Sequence, residues 1–271
     1  MKLAKVEAVY RPNILINGDF KINPRGQTRY EISNTWTYTF AMWRGNGWMS
    51  IEKTVNGIKI QNNSDINSAQ WFSQKFLSTK NGVFTLSLNV LSKSGKAVVK
   101  FESDTELINS IELNVGHNVL TTNCTGLSQI VFEIGGSTTY GDSIEIEYVD
   151  LFEGDIAYEH IEEDEATALM RCEKYLKIIS IPSNGSSNIN LTSGSINAIV
   201  PFGSMVSTPT AIVYDIDKNK NKISRLNIGY NTYTSDVISN FYANRGYLEV
   251  ISNSGENANA LAGWVEFSCE P

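Results

Sequence analysis

An all-β chain interrupted by one helix is the fold class that the sequence predicts, and three observations predict it. Apolar residues alternate with polar ones along most of the chain. In "VFTLSLNVL", Phe84, Leu86, Leu88 and Val90 face one way and Thr85, Ser87 and Asn89 the other. A period of two marks a half-buried strand. Turn-forming pairs punctuate these runs, at Asn56-Gly57, Asn81-Gly82, Ser94-Gly95 and Gly135-Gly136. Only "EHIEEDEATALMRCEKYLKIIS" changes to helical spacing, with Leu169, Cys172, Leu176 and Ile179 on one stripe. Short antiparallel strands with such punctuation build a sandwich or a barrel.

The elements follow in order. A chain of 271 residues exceeds a typical domain of about 100–200 residues, so two domains are expected. Residues 1–11 read as an N-terminal arm and 12–157 as the first β domain. Its opening stretch, "PNILINGDF", breaks an apolar run at Asn17-Gly18-Asp19 and resumes at Phe20. A kink is expected there, with Leu15 and Phe20 both returning to the core. Later strands bury Ala97, Val99 and Phe101, then Ile130, Phe132 and Ile134, then Ile144, Ile146 and Tyr148 opposite Glu145 and Glu147. The helix, within 158–181, starts among Glu162, Glu163, Asp164 and Glu165 and ends near Arg171, Lys174 and Lys177. Each well-placed charge is worth about 0.3–1 kcal/mol against the helix dipole. The helix is read as a connector packed on a sandwich or as a contact between subunits. Residues 182–271 return to strands, in "INAIVPF", "TAIVYDID", "KISRLNIGY", "YLEVIS" and "GWVEFSCEP", as a smaller β domain.

Composition narrows the function classes. Hydrophobic residues make up 41% and charged ones 19%, which suits globular cores rather than a disordered chain. A net charge of -7 without a basic cluster argues against a nucleic-acid partner; Lys218, Lys220 and Lys222 stand beside Asp215 and Asp217. Cys124, Cys172 and Cys269 form no CxxC pair and read as free thiols of a reducing compartment. No run approaches the roughly 18 apolar residues of a membrane helix. Glu7 interrupts what would be a signal-peptide core. Membrane insertion and secretion by the usual route are therefore not expected.

Catalytic motifs are absent. The two histidines, His117 and His160, stand in no metal-ligand spacing, and there is no GxSxG elbow, P-loop or GxGxxG fingerprint. Glu145 and Glu147 lie about 7 Å apart on one strand face, within range of a glycosidase pair, but that face reads as solvated. No catalytic residue is assigned. The aromatic residues are more informative. Tyr30, Trp36, Tyr38, Phe40, Trp43, Trp48, Trp71 and Phe72 fall within 43 residues and include four of the five tryptophans. Exposed rings pack on the apolar C–H side of a sugar while neighbouring polar groups bind its hydroxyls. The glycan-binding candidates are Trp36, Trp48, Trp71 and Tyr30, with Arg44 and Asn46 as polar partners; the alternative for each ring is the core. Trp36 and Trp48, beside polar stretches, are expected to be the exposed ones.

The stretches "NILINGDFKINPRGQTRY" and "YTFAMWRGNGW" resemble the opening of the jelly-roll module found in many phage and prophage tail-fibre or tail-tip proteins. The matching residues are Asn17, Gly18, Asp19, Phe20, Arg25, Gly26, Tyr38, Trp43 and Arg44. "IEYVDLFEGDIAYEHIEEDEATALMRCEKYL" is similar to the module's last strand and the helix after it, through Leu151 to Gly154, Tyr158-Glu159 and Cys172 to Tyr175. "VPFGSMVSTPTAIVY", with Pro201, Met205, Pro209 and Thr210, and the closing "AGWVEFSCEP" resemble the family's tip domain.

This resemblance implies an N-terminal carbohydrate-binding-like jelly-roll, a short connecting helix and a smaller C-terminal β-sandwich. It implies a non-catalytic, receptor-binding component of a virion tail, made in the bacterial host cytoplasm. Its partners would be bacterial cell-surface carbohydrate and other phage tail proteins, and it would be a homotrimer. The few residues before the first domain favour a tail-tip or baseplate accessory over a long fibre. Similar sandwiches hold a structural calcium, for which Asp19 and Asp150 are the candidates; Lys21 stands where the family often has Glu. Two alternatives remain on the residues alone: a polysaccharide depolymerase or glycosidase on the same scaffold, and a structural connector whose aromatics are all buried.

Overall fold

The computed structural model describes residues 13–64, 69–135, 140–181, 190–192, 195–201, 203, 205–226, 232–242, 247–253 and 260–271. The arm assigned to 1–11 lies outside the described residues. The chain forms two compact units, Met1–Ala168 with Pro271, and Leu169–Glu270.

The first unit is a β-sandwich. Its strands are β1 (Arg29–Ser33), β2 (Thr37–Tyr38), β3 (Trp43–Asn46), β4 (Trp48–Lys53), β5 (Ile58–Asn62), β6 (Gln70–Ser94), β7 (Ala97–Glu102), β8 (Leu107–Glu112), β9 (Gly116–Ile134) and β10 (Ser143–Glu153). They pair in the order β1-β4-β5-β10-β6-β9-β7-β8, with β2 and β3 joined through β6. Strands β6 and β9 run together as a long ribbon whose register breaks between Lys75 and Gly82. Before the break the ribbon carries β3 and β7; after it, β10. One interrupted ribbon thus serves both layers, and a single core lies between them, from Phe72 and Phe132 to Ile51, Ile60 and Leu151. At its centre the fully buried Trp43 stacks on Phe72, with centroids 5.0 Å apart at 11°, and touches Phe20 at 5.2 Å. Each such side chain contributes about 1.5–3 kcal/mol by leaving water.

The kink in "NILINGDF" is a tight turn. Phe20 N–H donates to the Asn17 carbonyl (3.1 Å), and both residues have positive φ, 56° and 55°. The Asn17 side chain holds the turn by bonding Ile22 N–H and C=O, each at 2.8 Å. Trp43 Nε1 donates to the Asn17 carbonyl (3.0 Å). Leu15 and Phe20 are both fully buried. Gly18 is required by close approach: a Cβ there would lie 2.2 Å from the Val149 carbonyl oxygen.

Three expectations are corrected. Tyr148 does not continue the inward row of Ile144 and Ile146. Register shifts on either side of Ile146 turn the strand over, so Val149 and Leu151 fill the core and Tyr148 stacks on His160. Such a bulge inserts an extra residue and reverses the alternation. Thr85 and Ser87, read as solvent-facing, are buried; Thr85 bonds Thr121 and the Gly154 carbonyl, and Ser87 bonds His117. The helix α1 spans only Glu165–Glu173. Asp164 caps it, accepting from Thr167 N–H at 3.0 Å, and the hydrogen bonds of the Thr167 side chain and N–H hold the exposed carboxyl below its ordinary pKa. Leu176 and Ile179 belong instead to β11 (Leu176–Ile181), which pairs residue by residue with β18 (Ala260–Ser268). Ala168 and Cys172 are the buried face of the helix, while Leu169 is exposed.

The second unit is the smaller β-sandwich. Besides β11 and β18 it contains β12 (Asn190–Thr192), β13 (Ser195–Pro201), β14 (Thr210–Tyr214), β15 (Lys222–Leu226), β16 (Thr232–Tyr242) and β17 (Tyr247–Asn253). The order is β11-β18-β15-β16-β17-β13-β12, with β14 also on β18. Its core includes Ile181, Val213, Ile223, Leu248, Val250, Val265 and Phe267.

Candidate functional site

Strand parity places the site. Trp43 and Gly45 on β3, Phe72 on β6, Phe132 on β9, and Val99 and Phe101 on β7 turn inward. Their neighbours therefore point out, and the register lines them up in rows. One row runs Asn46, Trp71, Glu133, Val98. The next runs Tyr38, Arg44, Ser73, Val131, Lys100. Directly opposed residues have Cβ atoms about 4.5–5.5 Å apart and diagonal ones about 7–8 Å, so Trp71 and Arg44 share one patch.

The polar groups of this face hold one another. Trp71 Nε1 donates to Glu133 Oε2 at 3.0 Å, and Lys100 Nζ reaches the same oxygen at 2.6 Å. Gln129 links two strands: its Nε2 donates to Glu102 (2.9 Å) and its Oε1 accepts from Arg44 Nη2 (3.2 Å). Arg44 also donates from Nε to Ser73 Oγ (3.4 Å), and its guanidinium lies 4.4 Å from the centroid of the Trp36 ring, within cation–π range. Pro271, the last residue of the chain, clusters with this unit and places an oxygen of its terminal carboxyl group against the Tyr38 hydroxyl and 3.3 Å from Arg44 Nη1. Asn46 Oδ1 is buried without a hydrogen-bond partner among the described residues. The arrangement offers ring surface, fixed donors and fixed acceptors on one sheet face.

The candidates separate on this frame. Trp71, Arg44 and Asn46 share the face, and Trp36, 45% exposed, joins it through Arg44. Trp48 is as exposed, at 47%, but pairs with Ser33 on β1, so the register does not bring it into these rows. Tyr30 is withdrawn as a ligand-facing ring. It pairs with Ile51, is 4% exposed, packs edge-on against Phe40 at 5.4 Å, and donates its hydroxyl to Asn23 (2.6 Å). Glu133, Lys100, Gln129 and Glu102 were missed. Their signal was the outward half of "QIVFEIG" and "KAVVKFES", where only the inward residues were read. Glu145 and Glu147 each accept from the neighbouring strand, from Ser92 and Asn89.

The residues proposed for calcium do not form a fitting donor set. Both Asp150 oxygens are engaged, Oδ1 by Asn13 Nδ2 and Oδ2 by His160 Nδ1, each at 2.8 Å. Asn13 also bonds the Val149 carbonyl and the Leu15 and Leu151 N–H groups. Asp19 faces Lys21 at 3.6 Å. Among the described residues no three His, Cys, Asp or Glu side chains converge as a cation site. The chain supplies its own positive charge there. Burial works against protonation of His160, but the hydrogen bond and charge of Asp150, with Asp19 and Glu147, outweigh it and raise its pKa. Burial pulls Lys53 down despite Asp19.

No protein-family model matches the chain, and no curated protein matches it. Among solved structures it is similar to the carbohydrate-binding module TmCBM61 in complex with beta-1,4-galactotriose. That match has 17% identity and a TM-score of 0.36, over 53% of this chain and all of that one. It is also similar to a CBM29-2 variant, a family 29 carbohydrate-binding module, complexed with mannohexaose. There the identity is 14% and the TM-score 0.31, over 44% of this chain and 86% of the other. A third match is an arabinose-bound GH51 α-L-arabinofuranosidase (14% identity, TM-score 0.32), covering 41% of this chain and 23% of the enzyme.

Proposed function

We propose that the first unit is a non-catalytic carbohydrate-recognition module whose ligand lies across the outward face of β3, β6, β9 and β7. The observation that carries this reading is Trp71, half-buried on the outward face of the sheet between Asn46 and Glu133, with Arg44 and the exposed Trp36 beside it. A sugar ring can stack on an indole whose surroundings already present oriented donors and acceptors. A connector with every aromatic buried would not carry Trp36 and Trp48 in solvent. In its finer form the proposal is a phage or prophage tail component, at the tail tip or baseplate, that recognises bacterial cell-surface glycan. The sequence resemblance supports that role. As a homotrimer it would gain avidity, which raises weak single-site binding by about 10²–10⁴.

The test is a bacterial glycan array followed by titration calorimetry on the purified chain. Trp71→Ala is expected to weaken binding at least about tenfold, or 1.4 kcal/mol. Trp48→Ala should leave it unchanged. A blank array and a blank titration would refute the reading, and polysaccharide turnover would replace it with the hydrolase alternative.

A further inference from the structure

We infer that Glu133 and Lys100 read a pair of adjacent free hydroxyls on the sugar that stacks on Trp71, so that the glycan recognised is neutral and unsubstituted at that pair. The inference rests on the carbohydrate reading above and specifies its ligand class. Arg44 already has a partner at each of its nitrogens: Ser73 at Nε, Gln129 at Nη2 and the Pro271 carboxyl group at Nη1. The Glu133 flank of Trp71 differs. Glu133 Oε2 accepts from both Trp71 Nε1 (3.0 Å) and Lys100 Nζ (2.6 Å). Glu133 Oε1 has no hydrogen-bond partner among the described residues and is reached by solvent. Lys100 Nζ bonds only Glu133 among the described residues, whereas an ammonium carries three donors. An unfilled acceptor and unfilled donors thus stand side by side at the edge of one indole.

The chemistry of this pair sets the ligand. A carboxylate only accepts and an ammonium only donates, whereas a hydroxyl does both. Two neighbouring hydroxyls meet both needs: one donates to Oε1 and the other accepts from Nζ. Bonds to charged partners of this kind are about twice as strong as neutral ones. A methyl ether at the donating position removes the hydrogen that Oε1 needs. A sulfate or phosphate there sets like charge against the carboxylate, which is the repulsive half of specificity. The groups are also placed before a ligand arrives. Glu133 stands opposite Trp71 on β6 and Val98 on β7, and only 20% of its side chain and 19% of that of Lys100 is exposed. The contacts that hold Oε2 keep Oε1 in position, which lowers the ordering cost of binding. Glu133 therefore has two roles, holding the Trp71 ring through Oε2 and reading the sugar through Oε1, and the two can be separated.

The probes are neutral bacterial glycans on an array, homopolymers of glucose, galactose and mannose among them, each printed beside its fully O-methylated and its O-sulfated form. The full chain is applied to the array, and each form of a bound glycan is then titrated by calorimetry. The unmodified form is expected to bind at least about tenfold more tightly than the other two. Glu133→Gln keeps an acceptor for Trp71 Nε1 but sets a donor where Oε1 stood. It should bring the unmodified and methylated forms to within about twofold of each other and strengthen binding of the sulfated form. Lys100→Met should weaken binding of the unmodified form, and Trp71→Ala should weaken all three. Urea unfolding followed by tryptophan fluorescence confirms that each variant is folded. Equal binding of the unmodified and methylated forms, tighter binding of the sulfated form, a preference that survives Glu133→Gln, or a Lys100→Met variant as tight as wild type would overturn the inference while leaving the carbohydrate reading intact. So would a Glu133→Gln variant that weakens all three forms alike, the mark of a residue that only positions Trp71. Silence towards every glycan would sink both.

Discussion

Replacing His160 with Gln tests whether the clamp at Asp150 is ionic. The His160 ring lies flat on Tyr148, 3.8 Å between centroids at 4°, and its Nδ1 is 2.8 Å from the Oδ2 of Asp150, a residue only 3% exposed. Through this clamp the chain after β10 is held to the outer face of the sandwich. The groups that face the imidazole are Asp150, Asp19 and Glu147, and together they raise its pKa above the ordinary value. Glu162, which pairs with Lys21, also feels the His160 charge. A histidine whose folded-state pKa is raised contributes stability that is complete below its unfolded pKa of about 6.5 and is lost as pH rises through the folded value. A hydrogen bond to a charged partner is worth about 1.5–3 kcal/mol, which bounds the effect. Gln can still reach Asp150 but cannot carry the charge. Urea unfolding followed by tryptophan fluorescence reads the first unit, which holds four of the five tryptophans. The stability gap between wild type and His160→Gln should be widest near pH 5.5 and shrink steadily above about pH 6.5. A gap that stays flat across that range would refute the ionic clamp.

Two further outcomes follow from burial. Gly18→Ala would set a Cβ 2.2 Å from the Val149 oxygen and 2.5 Å from Asn13 Nδ2, breaking the bond from Val149 N–H to the Gly18 carbonyl (2.9 Å) and displacing Asn13. With about 1–3 kcal/mol for each buried group left unsatisfied, the loss should reach about 3 kcal/mol by denaturant titration, and a loss under about 0.5 kcal/mol would contradict the packing. Cys124 is buried, and burial pushes its thiol up to about 11; an alkylating reagent should leave it unmodified in the native chain and label it on unfolding, as mass spectrometry of its peptide would show.

Much of the fold was legible because alternation is a local property. The inward rows of β7 and β9 were read from single strands, since each side chain's face follows from its neighbour's. The kink at Asn17-Gly18-Asp19 was legible for the same reason. Tyr148 was misread because an inserted residue resets parity, and "SIEIEYV" alternates without a visible break. The insertion is decided by pairing with a strand more than fifty residues away. The helix was overextended because Leu176 and Ile179 fit both a stripe of 3.6 and a strand. Six pairs with β18 settle that choice, and β18 lies at the far end of the sequence.

The site was only half legible for a related reason. Counting aromatics finds the neighbourhood but not the face, because a jelly-roll uses rings both inside and out. Parity is what divides them. Once Trp43 is inside, Arg44 and Asn46 must be outside, and once Phe72 is inside, Trp71 must be outside. The same rule sends Tyr30 inward with Ile32. Trp36 precedes β2 and obeys no parity; its place is set by Arg44. The polar half of the site comes from residues that no spacing connects. Asn46, Trp71, Glu133 and Val98 form one row only because β3, β6, β9 and β7 are neighbours in that order. A sheet face of this kind is a property of register, and each residue in it is ordinary until the strand beside it is known.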